Sequence, residues 1–256
     1  MTLKQKIEQS FDAASQSYEK VAYIQKQCAF HLVKILNIHY KNFTPRSIFD
    51  VGTGTGYIPE ILLKFFPNAY YQLNDISDNM LTSARSKFID NPRISFYKGD
   101  IETGRFNFHD LIISNLSLQW VENLQLVIKN LYRKSNFLAF SCLVFGTFHG
   151  WNKRLESYGL EGIIKSYPSE GELQKFLQTL NPYKQYTKVK NFFLEFKNPI
   201  SLMRYLKALG ANTPVSNADF NKLLRLIKMD RNPCNLEYKV MFVLLEKTYS
   251  CKIDSK

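Results

Sequence analysis

The sequence predicts an α/β protein: a doubly wound, mostly parallel sheet of seven strands with a helical lid. Three observations predict it. Short apolar runs alternate with stretches of helical periodicity from residue 48 to residue 144. A glycine loop, Asp50-Val51-Gly52-Thr53-Gly54-Thr55-Gly56, follows the first of those runs. After Phe145 the rhythm changes to helices interleaved with two late strands, as an insertion over one end of a sheet would read. With 256 residues a single domain is expected over 1–256. Its parts are an N-terminal capping helix region (1–40), a core (41–145), a lid insertion with a late strand (146–235) and a last strand (236–247).

In order, residues 3 to 36 carry one apolar stripe through Ile7, Phe11, Ala14, Tyr18, Val21 and Ala22, which predicts helix. Ile48–Val51 reads as a buried strand. Ile58, Ile61, Leu62, Phe65 and Phe66 then mark one helix face, with Pro59 tolerated in the first turn and Pro67 ending the run. Tyr70–Asn74 is a second strand, ending at Asp75. Ser77 caps a helix through Met80, Leu81, Ala84 and Phe88. Strands follow at Arg93–Tyr97, Leu111–Ser114 and Phe137–Val144, with a helix at about Val121–Arg133 between the last two. Beyond Phe145, helices are expected at about 151–165, 169–180 and Pro199–Leu209, and strands near Lys188–Phe196 and Glu237–Glu246.

No run approaches the roughly 18 apolar residues of a membrane span, and Met1–Ser10 has no apolar leader, so a cytoplasmic protein is expected. Cys28, Cys142, Cys234 and Cys251 are isolated and the four histidines are scattered, which predicts no metal set and no disulfide. The net charge is +12, with 16 basic and 12 acidic residues in 1–145 and 18 and 10 in 146–256. Such a basic C-terminal part fits an acidic partner, whether nucleic acid, anionic lipid or an acidic carrier protein; a Lys-rich genome would produce the same excess.

The loop decides the ligand class. A dinucleotide fingerprint needs a third glycine five residues after the first, but Tyr57 and Pro59 stand there, and no Gly-Lys-Ser/Thr follows. What remains, Asp-x-Gly-x-Gly-x-Gly, resembles the first motif of class I S-adenosylmethionine-dependent methyltransferases, which are Rossmann-like. Asp50, Gly52, Thr53, Gly54 and Gly56 are therefore candidate cofactor residues. Asp75 ends the second strand, where a carboxylate would receive a ribose diol, with Ile76 and Met80 beside it. Asp100 and Ile101 end the third strand, placed for an adenine amine and ring face, and Asn115 ends the fourth on the same crevice.

Longer stretches resemble one family within that class, the malonyl-acyl-carrier-protein O-methyltransferases of biotin synthesis. They are Phe11-Asp12-x-Ala14 with Tyr18, Ala22 and Gln25; Asp75-Ile-Ser-x-x-Met80-Leu81-x-x-Ala84; Gly99-Asp100-Ile101-Glu102; and Ser114-Asn115-Leu-Ser-Leu-Gln119-Trp120. Ala139-Phe140-Ser141 with Gly146-Thr147, Leu202-Met203-Arg204-Tyr205-Leu206-Lys207-x-Leu209-Gly210-Ala211 and Glu237-Tyr238-Lys239-Val240 complete the match. The chain departs from the family at Thr53, where cysteine is usual, and at Phe148–Trp151, where a Glu-Leu pair is usual.

The resemblance implies methyl transfer from S-adenosylmethionine to the free carboxylate of a malonyl thioester, on acyl carrier protein or coenzyme A, by a monomer with no nucleic-acid or membrane partner. A carboxylate is already ionised at neutral pH, so no general base is expected. Arg204 is the candidate to grip the acceptor's charge, because guanidinium and carboxylate pair through two hydrogen bonds. By pattern alone Arg204 is a surface residue beside Lys207. Tyr18 is the candidate to position the acceptor, and Gln25 to hold the cofactor. Gln119 and Trp120 are the candidate substrate pocket, although Tyr18 and Trp120 would serve equally as core. A methyltransferase for nucleic acid or another small molecule, and a non-catalytic cofactor-binding scaffold, are the competing functions. Ser114-Asn115-Leu116-Ser117 offers no Asn-Pro-Pro-Tyr-type loop for a nucleic-acid base.

Overall fold

The computed structural model of the chain describes residues 2–160, 167–211, 222, 223, 226 and 229–247. It opens with two helices, α1 (Leu3–Val21) and α2 (Tyr23–His39). The next elements are β1 (Ser47–Val51), α3 (Tyr57–Leu62), β2 (Tyr70–Asp75), α4 (Asp78–Lys87), β3 (Ile94–Lys98), β4 (His109–Asn115), α5 (Leu124–Arg133) and β5 (Ser135–Leu143). The chain then runs through α6 (His149–Ser157), α7 (Glu170–Thr179), β6 (Lys184–Phe196), α8 (Pro199–Ala208) and β7 (Cys234–Glu246). The helix expected at 151–165 ends at Ser157, and 161–165, most of the polar 211–235 segment and Cys251 lie outside the described residues. Among the described residues no helix is long and apolar enough to cross a membrane.

The seven strands form one sheet in the order β3-β2-β1-β4-β5-β7-β6. The first five pair in parallel, while β7 enters antiparallel between β5 and β6. Strand order reverses between β1 and β4, and at such a switch point the carboxyl ends of the strands splay to leave a crevice. β1 is buried from Ile48 to Val51 because it is flanked by two strands and covered on both faces. One face packs on α2, with Leu32, Leu36, Ile48, Leu73 and Ile113 fully buried; the other packs on α5 and α7 through Phe49, Ile128, Leu131, Leu138 and Leu177. The edge strand β6 carries exposed Lys184 and Lys188, charges that discourage pairing with another chain.

Residues 3–36 are not one helix. The chain bends at Ala22 (φ −74°, ψ 41°), although neither glycine nor proline stands there. Lys26 of α2 reaches back to cap the Glu19 carbonyl at 2.9 Å. The bend lays α1 across the carboxyl ends of the strands while α2 packs on the sheet. α1 is fastened on both flanks. Asp12 accepts from the Ser77 hydroxyl and the Asn79 amide at the start of α4, and Glu8 pairs with Lys98. On the other flank Ser17 donates to the Ala208 carbonyl at 2.8 Å. Gly210 (φ +76°) closes α8 so tightly against α1 that a Cβ would sit 3.0 Å from Phe11 and 3.1 Å from Ala14.

Candidate active site

The loop between β1 and α3 is built by hydrogen bonds that the strand ends supply. Thr53 N–H donates to the Asn74 carbonyl at 2.8 Å, and Gly54 N–H donates to Asp75 Oδ2 at 2.8 Å. The other Asp75 oxygen takes the Ser77 N–H at 2.9 Å, where α4 begins. Asn74 extends this lattice to the carbonyls of Tyr97 and Gly99. Asp75 is thus both a wall of the crevice and the clasp that fixes the loop. Burial pushes its carboxyl up to about 6, against the pull of these N–H donors. All three loop glycines have positive φ, at 67°, 56° and 84°. A Cβ on Gly52 would lie 2.3 Å from the Ser117 Cβ, whereas one on Gly54 would meet nothing closer than Tyr18 at 4.0 Å.

A cavity opens at the carboxyl ends of β1 to β4, roofed by α1. Gly52, Gly54, Asp75, Ile76 and Met80 line one side; Asp100, Ile101 and Asn115 line the other; Tyr18 and Trp120 stand at its inner end. A side recess beneath Tyr18 is lined by Gln25, Thr53, Gly54 and Asn115. Ten of the sequence-predicted residues therefore converge on one crevice, and Gln25 and Thr53 join them through the recess. Asn115 contributes wall rather than free polar groups: its amide donates to the Gln25 carbonyl and its oxygen accepts from Ser141. Asp100 is engaged by Lys4 at 3.2 Å, a cation that α1 brings across and that also pairs with Glu102.

Past Tyr18 and Trp120 the cavity meets a second chamber. Its walls are Phe11, Tyr18, Gln25, Leu116, Gln119 and Trp120 from the first half of the chain, joined by Leu143, Phe148, Tyr167, Leu206, Leu209, Ala211 and Tyr238 from the second. No charged side chain stands among these described lining residues. Its polar groups are phenols and amides. The Tyr205 and Tyr238 hydroxyls meet at 3.2 Å, and burial holds the Tyr18, Tyr167 and Tyr238 phenols well above their ordinary range, so all three remain neutral donors. Phe148, where the sequence departs from its relatives' pattern, is a chamber wall packed edge-on to Tyr238 at 4.6 Å. Trp151, four residues into that departure, is 1% exposed core.

Three expected site residues stand elsewhere. Gly56 lines no part of the crevice; its Cβ position lies 2.7 Å from the Phe88 ring, so glycine is needed there for packing α3 on α4. Asp50 is buried beneath the loop at 1% exposure, and neither of its oxygens makes a full hydrogen bond. Burial, with the Asp75 charge nearby, pushes its carboxyl up to about 7, the Thr53 hydroxyl opposing. Arg204 is a correction. It lies exposed on the outer side of α8 and lines a surface groove with Lys6 and Lys207, outside the chamber. Leu202, Leu206 and Leu209 take the inward face of that helix, and a residue two positions from both Leu202 and Leu206 must point away.

Comparison with known proteins fits this geometry. Residues 49–135 match a methyltransferase domain family. A malonyl-[acyl-carrier protein] O-methyltransferase of Neorickettsia risticii is 32% identical over 240 residues, spanning 94% of this chain and 95% of the relative. The chain belongs to the malonyl-[acyl-carrier protein] O-methyltransferase family. A member from Ilyobacter polytropus is 27% identical, with 95% of both chains covered. Among solved structures, phosphoethanolamine N-methyltransferase 2 of Haemonchus contortus superposes with a TM-score of 0.61 at 12% identity, over 97% of this chain and 61% of that one. A plantazolicin methyltransferase gives 0.56 at 16%, over 96% and 97%. At those identities the superpositions show the fold alone, and both proteins were solved with S-adenosylhomocysteine bound.

As a member of this methyltransferase family, the chain is an S-adenosylmethionine-dependent enzyme. Its residues fit the cofactor on their own terms. Asp50 and Gln25 leave buried acceptor oxygens without donors around the loop, the environment a cationic amino-acid group needs. A Cβ would fill the Gly52 turn, and Asp75 and Asp100 bring carboxylates to the crevice wall. Sequence reasoning missed Lys4, Leu116, Ser117, Tyr167 and Tyr238 as wall residues. Tyr238 carried a signal in its strand's alternation: it falls in step with buried Leu236 and Val240 and between the charged Glu237 and Lys239, on the inward face.

Proposed function

We propose that this chain methylates the free carboxylate of a malonyl thioester carried on an acyl carrier protein, as a cytoplasmic monomer, giving the ester that starts pimeloyl synthesis for biotin. One observation carries this proposal: the crevice shares Phe11, Tyr18, Leu116 and Trp120 with an adjoining chamber whose described walls hold phenols, amides and hydrocarbon but no charge.

When bound, S-adenosylmethionine supplies the methyl group and the positive charge of its sulfonium. The transfer would make a carboxylate O–CH3 bond at the expense of the S–CH3 bond and leave a neutral ester and S-adenosylhomocysteine, so this chain's residues would have no proton to move. Charge is therefore lost on the way to the transition state. A residue cation fixed on the carboxylate would hold the ground state back. Tyr18 and Tyr238 instead offer neutral hydroxyls that orient the acceptor, and Phe11, Trp120, Phe148 and Leu206 exclude water from the reacting groups. No side chain is asked to act as a base.

The deciding assay offers labelled S-adenosylmethionine with malonyl carrier protein, malonyl-CoA and bulk tRNA. Label on the malonyl group as a base-labile methyl ester is the expected result; label confined to tRNA would overturn the assignment. Within it, Tyr238→Phe removes one hydrogen bond to a charged acceptor, about 1.5–3 kcal/mol. A fall in kcat/KM of at least tenfold is expected, with cofactor affinity unchanged in calorimetry. A wild-type kcat/KM would exclude Tyr238 from positioning the acceptor.

A further inference from the structure

The outer groove between α1 and α8, which Arg204 lines, has a charge pattern that the crevice does not account for. α1 sorts its charges by face. Its acids turn toward α4, β3 and the loop: Glu8 pairs with Lys98, Asp12 binds Ser77 and Asn79, and Glu19 pairs with Lys87 and Lys26. Lys4 is spent on Asp100 and Glu102. What α1 leaves unpaired on the opposite side is basic, and α8 adds to it. Lys6, Arg204 and Lys207 line the groove, all three exposed and none in an ion pair among the described residues. Between them the lining is uncharged, with Gln9, Ser10, Ala13, Ser17 and Ala208, and about 590 Å³ stands open.

The same two helices form the wall of the methyl-transfer chamber. Phe11 and Tyr18 project inward from α1 and Leu206 from α8, while Lys6, Arg204 and Lys207 project outward. A body seated in the groove would stand about one helix diameter, ~10 Å, from the chamber. An extended pantetheine thioester arm spans that distance. Three unpaired cations, an otherwise uncharged lining and a shared wall with an acyl chamber define the occupant by charge complementarity.

We propose that the α1–α8 groove is the docking surface for the acidic face of the carrier protein that delivers the acyl arm. This rests on the acceptor proposed above. Arg204 acts there as a steering charge rather than as the anchor of the malonyl carboxylate.

The test uses the full chain with Lys6→Glu and Lys207→Glu combined, neither of which touches the crevice or chamber. Binding of carrier protein bearing no malonyl group, read by fluorescence anisotropy, is independent of methyl transfer. Turnover is compared on malonyl carrier protein and on malonyl-pantetheine, which has neither protein nor phosphate. The expected result is carrier binding weakened at least tenfold, wild-type binding that weakens as salt rises, a matching loss in kcat/KM on malonyl carrier protein through KM, and unchanged turnover of malonyl-pantetheine. Unchanged carrier binding in the variant would overturn the docking surface. So would an equal loss on both substrates, or a tRNA fragment that displaces carrier protein from the wild-type chain. If the wild-type chain methylated neither substrate yet bound carrier protein through these lysines, docking would stand and the proposed reaction would fall.

Discussion

Gly52→Ala is expected to abolish measurable binding of S-adenosylmethionine and to reduce methyl transfer at least a hundredfold. Two independent penalties act at this position. The backbone sits at φ +67°, where a Cβ costs about 1–2 kcal/mol. The Cβ would also lie 2.3 Å from both the Cβ and the Oγ of Ser117. Ser117 has no room to yield, because its hydroxyl bonds the Val51 carbonyl at 3.0 Å and the Ser114 hydroxyl at 2.9 Å. Relief requires the β1–α3 loop to move, and that loop carries the Gly54 amide that Asp75 clasps. Gly54→Ala separates the two effects. Its Cβ meets only the Tyr18 ring, at 4.0 Å, so at φ +56° that variant carries the backbone penalty of about 1–2 kcal/mol without the clash, while filling space the ligand needs. Calorimetry and thermal melting on both variants check the argument. Cofactor affinity within tenfold of wild type in Gly52→Ala would show that the loop is not the cradle.

Much of this site is legible in the sequence because it is made of strand ends. Each strand announces itself by apolar residues, and the topology of a doubly wound sheet brings Asp75, Asp100 and Asn115 to one edge whatever the intervening helices contain. The glycine loop is local and so equally readable. What escapes is non-local. The antiparallel entry of β7 between β5 and β6 is a pairing choice that reaches back about a hundred residues to β5, and no local pattern in Cys234–Glu246 encodes it. The bend at Ala22 has no glycine or proline to mark it and depends on where α1 and α2 find their partners. The second chamber draws on residues from Phe11 to Tyr238, so its uncharged character emerges only when the pieces meet. Gly56 shows the limit of motif logic: three alternate glycines look alike, yet Phe88 rather than a ligand requires the third. At Arg204 the apolar periodicity of α8 pointed outward, and periodicity is what the structure follows.

Asp50→Asn should make the cofactor-free enzyme more stable and the enzyme a poorer binder at once. Asp50 is 1% exposed and burial pushes its carboxyl up to about 7, while the unfolded chain titrates near 4. A raised carboxyl favours the neutral form in the fold. Its contribution is therefore least unfavourable below about pH 4, and the penalty grows as pH rises through the interval to about 7, after which it is constant. Replacing the carboxylate by an amide removes that charge but leaves a buried polar group, so the net gain at pH 8 is about 1–2 kcal/mol, or roughly 2–6 °C in melting temperature. The gain should shrink toward pH 4. Binding moves the other way. Asp50 lines no part of the crevice, but it is a buried negative charge directly beneath the loop, in a medium where a cationic ligand feels it strongly. Loss of that field should weaken S-adenosylmethionine about tenfold at pH 8. In the wild type, affinity should rise as pH increases from about 5.5 to 7.5 and a proton should leave on binding; Asp75, pushed up to about 6, adds to the lower part of this profile. The variant should retain only that lower part. Melting without ligand and calorimetry in two buffers of different ionisation enthalpy read both sides of the exchange. If Asp50→Asn melted lower than wild type at pH 8 and bound the cofactor equally well, the carboxylate would be a structural group with a partner of its own. The functional charge beneath the loop would then have to be sought at Asp75.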